Sequence, residues 1–379
     1  MINVERLANE FLRLAHIESP SRREGEIAAY LEREFRLLGA ECIFDDSAPK
    51  TGSEVGNLIV KIPGDKPGPC LFFAAHMDTV EPTRNPRVFL EDGIFRSDGR
   101  TICGADDKSA IAALLEVTRV IKEKGLPHPD LEFIFTTCEE IGLLGAKNLD
   151  YSLIKAQFGY ALDSEDPDEL INRAPEAIRF RLVVLGLAAH AGLCPEKGIN
   201  AIKLAGEALS QVKIGRIDEE TTANIGIIRG GTATNIVPEE VELLGEVRSH
   251  SHEKLENTWQ EILSCFQRVI ENHRQGRKDR PALNYKRDQD YPLMRVAEDH
   301  PVVKLALSAA QRLGRQLKIT FTGGGSDANI FNGHGLPCVI LGTGMQRVHS
   351  TEEFLALEDL VKTAELTLQI VLEAAGGSR

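Results

Sequence analysis

Residues 131–142 read LEFIFTTCEEIG. Residues 131–137 are rich in apolar and β-branched types over the length of a single strand, the signature of a strand buried in a sheet. Two neighbouring carboxylates, Glu139 and Glu140, stand where that strand runs out. Glutamate pairs also open helices and solvate their first turn. The meaning of this pair therefore depends on what the rest of the chain brings to the same place.

Similar runs recur at NLIVKIP (57–63), CLFFAAH (70–76), FGYALD (158–163) and PCVILG (337–342). Helical patterns accompany them, notably DDKSAIAALLEVTRVIKEKG (106–125) and the amphipathic LEDLVKTAELTLQIVLEAA (357–375). This order predicts an α/β fold with a mostly parallel sheet covered by helices. Between about 174 and 292 the texture changes. IRFRLVVLG (178–186) and VELLGEVRS (241–249) alternate apolar and polar residues as half-exposed antiparallel strands do, with helical patterns at 200–212 and 252–274. The basic stretch HRQGRKDRPA (273–282) reads as a loop. The expected organisation is a discontinuous domain, 1–173 and 293–379, interrupted by an α+β insert, 174–292.

The chain of 379 residues carries a formal charge of -13, which repels nucleic-acid phosphates and anionic membrane surfaces. Neither partner is expected. Seven cysteines stand singly at 42, 70, 103, 138, 194, 265 and 338 with no C-x-x-C pair, and read as reduced thiols. MINVERLANEFLRLAHIES (1–19) lacks the apolar centre of a signal peptide. No run has membrane-spanning length, so the expected location is the cytoplasm.

Open α/β sheets collect binding groups beyond the carboxyl ends of their strands. His76 and Asp78 end one predicted strand, Glu139 and Glu140 another, and Asp163 a third. Asp106 heads the long helix and His349 follows the last strand. Any one has an ordinary explanation, as a structural histidine or a helix-capping aspartate; together they point to a metal site. Residues 76 and 78 project to one side of an extended chain, so His76 can bind metal while Asp78 holds its other ring nitrogen. An aspartate such as Asp106 can bridge two ions about 3.5–4 Å apart. On extended backbone consecutive side chains diverge, so one glutamate of the pair can reach metal while its neighbour faces the attacking water. Mixed imidazole and carboxylate ligands favour zinc, with cobalt or manganese as substitutes.

HMDTV (76–80), CGADDKSA (103–110), TCEEIGLLGA (137–146), ALDS (161–164), GLAAHAGLCPEKGINAI (186–202), GGTATNIVP (230–238), GGGSDANIF (323–331) and VHSTEEFLALEDL (348–360) together resemble the two-zinc exopeptidases and amidohydrolases that include peptidase T, carboxypeptidase G and succinyl-diaminopimelate desuccinylase. The peptidase T-like branch is the nearest match. The resemblance implies two zinc ions, with His76 and Asp163 on one, Glu140 and His349 on the other, and Asp106 between them. It makes Glu139 the general base and then acid, gives Asp78 the orientation of His76, and implies a cis peptide after Asp106. It makes the insert a lid or dimerisation domain, in which His190 stabilises the oxyanion in its own or a partner's site. Asn235, Arg248, Gly324 and Gly325 are candidates for holding substrate, although Arg248 has the alternative of pairing with an acidic surface residue and the glycines that of a tight turn before an Asp-capped helix. DDKSA (106–110) departs from the family's usual residues after the lysine, at positions behind the metals.

The expected activity is metal-assisted peptide hydrolysis, removing the N-terminal residue of tripeptides or short peptides. Two rivals are an N-acyl amino acid deacylase of the same chemistry and a non-catalytic metal-binding or interaction protein that keeps the fold. A nucleotide-binding reading of GGGSDAN fails, because no G-x-G-x-x-G follows the first strand and no Walker lysine follows the glycines. Half-exposed strands in the insert offer edges for a two-fold homodimer.

Overall fold

In a computed structural model, which describes residues 1–274 and 276–376, Leu71–His76 is a strand buried along its whole length. It pairs in parallel with Leu131–Thr136 on one side and with Phe158–Leu162 on the other. Phe158–Leu162 pairs in parallel with Cys338–Leu341. These four strands are the middle of a sheet that numbers nine strands among the described residues. The sheet continues antiparallel through Leu58–Ile62 and Glu41–Phe44 at one end and through Glu169–Ala174 at the other. Continuous apolar runs fit the parallel centre, where both faces are covered. The flanking strands 41–44 and 169–174 are shorter on apolar residues and escape a reading based on such runs.

Helix Ala105–Lys124 is buried without a break from Ala105 to Thr118. A helix that is apolar all round needs neighbours all round. It has them in the N-terminal helix Val4–Ala15, the C-terminal helix Leu357–Ala374 and the strand Leu71–His76. Gly104 and Gly125, both at positive φ, bracket it, and the Gly125 N–H donates to the Ile121 carbonyl. Asp106 and Asp107 at its head keep non-helical dihedrals, and the peptide between them is cis. Aromatic rings fill the sheet face, with Phe73 stacked on Tyr160 at 5.3 Å between centroids.

The chain divides into two compact units. One holds Met1–Arg173, Met294–Thr322 and the described residues from Ser326 onward; the other holds Ala174–Leu293 with Gly323–Gly325. Leu293 and the glycines 323–325 thus group with the inserted segment, one residue and one short loop beyond the bounds read from the sequence. The second unit is an antiparallel sheet in which Glu176–Leu185 lies between Glu240–Ser249 and Ala282–Tyr291. Thr221–Gly230 pairs with the outer side of Glu240–Ser249. Helices Ala201–Leu209 and His252–Arg274 cover one face through Leu204, Trp259 and Phe266, which meet Ile178, Leu182 and Leu243 of the strands. Arg179 and Arg181 alternate with these on exposed positions, as period-two patterning requires. Gln275, in the basic loop, lies outside the described residues. No helix among the described residues is long and apolar enough to cross a membrane.

Two glycines test the packing in opposite directions. A Cβ on Gly159 would lie 2.1 Å from the Phe72 carbonyl oxygen and 2.3 Å from its ring, between two central strands that cannot part. Gly159→Ala should lower stability by about 1–3 kcal/mol. Gly206, inside helix Ala201–Leu209, has nothing within 4 Å of that position. Gly206→Ala should raise stability by about 0.5–1 kcal/mol. Urea midpoints followed by circular dichroism measure both, and equal midpoints for the two variants would contradict this packing.

Candidate metal centre

The carboxyl ends of the parallel strands bring distant residues together. His76 is the last residue of its strand, and Asp163 directly follows Phe158–Leu162. Asp106 heads the buried helix. His349 sits at positive φ between the short strands Met345–Gln346 and Phe354–Ala356. Asp106 is the meeting point: its Oδ1 lies 2.9 Å from His76 Nε2 and its Oδ2 3.3 Å from His349 Nε2. His349 Nε2 lies 3.0 Å from Glu140 Oε2. Donor atoms of His76, Asp106 and Glu140 all fall within 4.8 Å of one another.

The His76 Nδ1 is 2.8 Å from the main-chain carbonyl of Asp78. That contact puts the proton on Nδ1 and turns the Nε2 lone pair toward the cluster. The carboxylate of Asp78, expected at this nitrogen, is 3.6 Å from it. Its oxygens instead accept the main-chain N–H of Glu139 at 2.9 Å, the N–H of Glu140 at 3.2 Å and the Ser21 hydroxyl at 2.6 Å. Glu139 and Glu140 also lie past the strand end, in a turn that Cys138 enters at φ 55°. The divergence of their side chains is set by this turn and by Asp78, not by the alternation of an extended strand.

Electrostatics favour a cation here. Burial opposes the charged form of Asp106, but hydrogen bonds from His349 and His76 outweigh it and hold its pKa below the ordinary range. His349 is raised to about 10 by its contacts with Asp106 and Glu140. Burial would lower the pKa of His76, but the hydrogen bond to Asp106 and the nearby carboxylate of Asp78 raise it well above the usual value. Glu139 and Asp163 are pushed well above the ordinary carboxyl range, first by burial and then by neighbouring carboxylates. Crowding of this kind is relieved by divalent ions. Glu140 Oε1 is buried with no hydrogen-bond partner, an acceptor aimed at nothing the protein supplies. The donor set of imidazole nitrogens and carboxylate oxygens therefore fits a divalent transition metal.

Other carboxylates complete the surroundings. Asp107 accepts the His76 N–H at 3.3 Å, and its second oxygen is buried without a partner. Asp327, in the glycine-rich segment, accepts the Thr136 hydroxyl at 2.5 Å, and burial lifts its pKa to about 6. Glu24, fully buried, accepts the Cys138 N–H at 3.0 Å, its thiol at 3.3 Å and the Ser53 hydroxyl at 2.5 Å. The helix after the glycines is capped by Ser326, whose hydroxyl accepts the Ala328 N–H at 3.3 Å, and not by Asp327 as expected; local sequence carries little signal for any of these carboxylates. Glu24 lies in SRREGE, which reads as solvated surface.

The remaining candidates belong to the second unit. His190 is exposed, and its Nδ1 accepts the N–H groups of Gly192 at 3.2 Å and Leu193 at 3.1 Å. A neutral imidazole so held carries its proton on Nε2. Asn235 is exposed, with its carbonyl taken by the Ala191 N–H at 2.9 Å. Arg248 pairs with Glu246 through Nε at 2.9 Å and Nη2 at 3.1 Å, the alternative that the sequence left open, and lies 5.9 Å from the Tyr291 ring centroid. A Cβ on Gly325 would meet that ring at 2.4 Å, so close packing on Tyr291 requires glycine there.

The profile of peptidase family M20/M25/M40 matches residues 72–373. A Bacillus subtilis (strain 168) protein described as "Uncharacterized protein YqjE" is 43% identical over 376 residues, covering 99% of this chain and 100% of its own. The crystal structure of aminopeptidase PepT from Bacillus cereus superposes with a TM-score of 0.91 at 41% identity, covering 99% of both chains. That of a tripeptidase from Staphylococcus aureus gives 0.94 at 38% identity, covering 99% of this chain and 100% of its own. The chain belongs to peptidase family M20/M25/M40, as a peptidase T-like member.

Proposed function

We propose that the protein is a two-zinc aminopeptidase that removes the N-terminal residue of tripeptides and short peptides, with cobalt or manganese able to replace zinc. The observation that carries this reading is the convergence of His76 and His349 on the two oxygens of Asp106, with Glu140 against His349, beside a glutamate anchored through its main chain. Peptides, rather than N-acyl amino acids, are supported by the full-length likeness to an aminopeptidase and a tripeptidase.

In this reading His76, Asp106, Glu140, Asp163 and His349 would hold the metals. When bound, the ions supply a water acidic enough to ionise near neutrality and a positive charge for the scissile carbonyl. Glu139 takes the proton from that water and returns it to the leaving amine. Asp78 fixes the Glu139 main chain, so the carboxyl group reaches the water from one direction. His190, in its own site or in that of a second copy, donates its Nε2–H to the developing oxyanion. Gly324, Gly325, Asn235 and Arg248 hold the peptide backbone or its carboxylate, which requires Arg248 to share its guanidinium with Glu246.

Metal removal by a chelator should abolish hydrolysis, and zinc, cobalt or manganese should restore it. Mass analysis of products from di-, tri- and tetrapeptides and N-acyl amino acids should show the free N-terminal residue released from tripeptides. Release from N-acyl amino acids alone would move the assignment to a deacylase. Glu139→Gln should keep both metals and slow turnover by about 100-fold or more; near-normal turnover with the metals in place removes Glu139 from the proton path.

A second copy is the partner that the second unit suits. Ile227 and Ile228 are exposed on Thr221–Gly230, whose only paired neighbour among the described residues, beyond Glu240–Ser249, is the short Gly215–Arg216. Such an edge is open to two-fold pairing. Sedimentation velocity should give a dimer that Ile228→Lys dissociates, and a wild-type monomer would discard this arrangement.

A further inference from the structure

Asp106 is the residue both histidines touch, yet the helix it heads does not fix it. Its dihedrals, φ −84° and ψ 102°, lie outside the helical region. Its main-chain N–H is instead held at 3.0 Å by Glu353 Oε1, while Glu353 Oε2 takes the Gly104 N–H at 2.7 Å. Glu353 is 2% exposed, and burial lifts its pKa to about 7. The buried Lys108 ammonium lies nearby but donates to the Ile17 carbonyl at 2.7 Å. The two amides are therefore the contacts that justify a carboxylate in this place.

The position of Glu353 is itself well determined. Its N–H closes a turn onto the Ser350 carbonyl at 3.1 Å. The next residue opens the strand Phe354–Ala356, which pairs with Ile94–Ser97, Phe354 opposite Arg96. The same short loop carries His349. One segment thus presents an imidazole to the Asp106 side chain and a carboxylate to its main chain.

We propose that Glu353 is a positioning residue for the metal centre: by accepting the amides of Gly104 and Asp106 it fixes the aspartate between the two histidines and ties the loop of residues 103–106 to the loop of His349. The inference rests on the reading of these residues as a metal site. It differs from a helix-capping role in what it predicts. A cap contributes to the stability of the whole fold. A positioning residue governs how well its ligand is presented, which for groups one step behind a metal ligand is worth about 10–100-fold in metal affinity.

Glu353→Gln keeps the shape but offers one acceptor where two amides point, and sets an NH2 against one of them. The full-length protein, stripped of metal, is titrated with zinc by calorimetry and with cobalt by its visible absorption. Melting of the metal-free protein is recorded in parallel. The expected result for E353Q is metal affinity weaker by about 10–100-fold, a changed cobalt spectrum and peptidase activity that returns with excess metal, in addition to any fall in metal-free melting from the amide left unpaired. Wild-type affinity and spectrum in E353Q overturn the proposal, whether or not melting falls. If E353Q does not fold, E353D carries the test: it keeps the charge but is too short to reach both amides, and wild-type affinity there overturns the proposal equally. Failure of the wild-type protein itself to bind zinc or cobalt would instead remove the metal-site reading.

Discussion

Buried carboxylates that accept main-chain N–H groups are the interaction on which the arrangement of the site depends. Parallel strands end in turns whose amides have no partner within the sheet, and those amides must be satisfied once covered. Here Asp78 takes the amides of Glu139 and Glu140, Glu353 those of Gly104 and Asp106, and Glu24 that of Cys138. Each bond does two things. It satisfies a donor that would otherwise be buried alone, and it sets the direction of a neighbouring side chain that faces the cluster. Negative charge spent in this way adds to the crowding at the centre, and so sharpens the preference for cations there.

The central strands were legible because burial on both faces leaves an uninterrupted apolar run, and 70–76, 131–137, 158–163 and 337–342 each became a strand within a residue or so of its expected bounds. The long helix was legible for the same reason. Residues at strand ends could then be placed on one rim, and His76, Asp106, Glu140 and His349 meet there. Peripheral strands such as Glu41–Phe44 were not read, because one-sided or edge burial leaves too weak a pattern over four residues.

What escaped the sequence is informative. Glu353 binds an amide 247 residues away and Glu24 one 114 residues away. In STEEF and SRREGE both look like any solvated charge, since local composition does not say whether a carboxylate meets water or a stranded amide. The role of Asp78 was misplaced by one atom group: spacing put its residue beside the His76 ring, but the main-chain carbonyl makes that contact and frees the carboxylate for the turn of Glu139. Spacing fixes which residue arrives, whereas the arrangement of donors around it fixes which of its atoms is used.

Cys338–Leu341 lies in the middle of the large sheet, flanked by Phe158–Leu162 and Glu169–Ala174. Both neighbours leave the ribosome long before it does. Until the late strand emerges, each presents an unsatisfied edge, and an incomplete sheet with open edges invites pairing with other chains. The inserted segment, whose strands and helices are contiguous in the chain, has all its parts before that moment. Completion of this sheet thus depends on residues 338–341, which follow both of their partner strands by more than 160 residues in the chain.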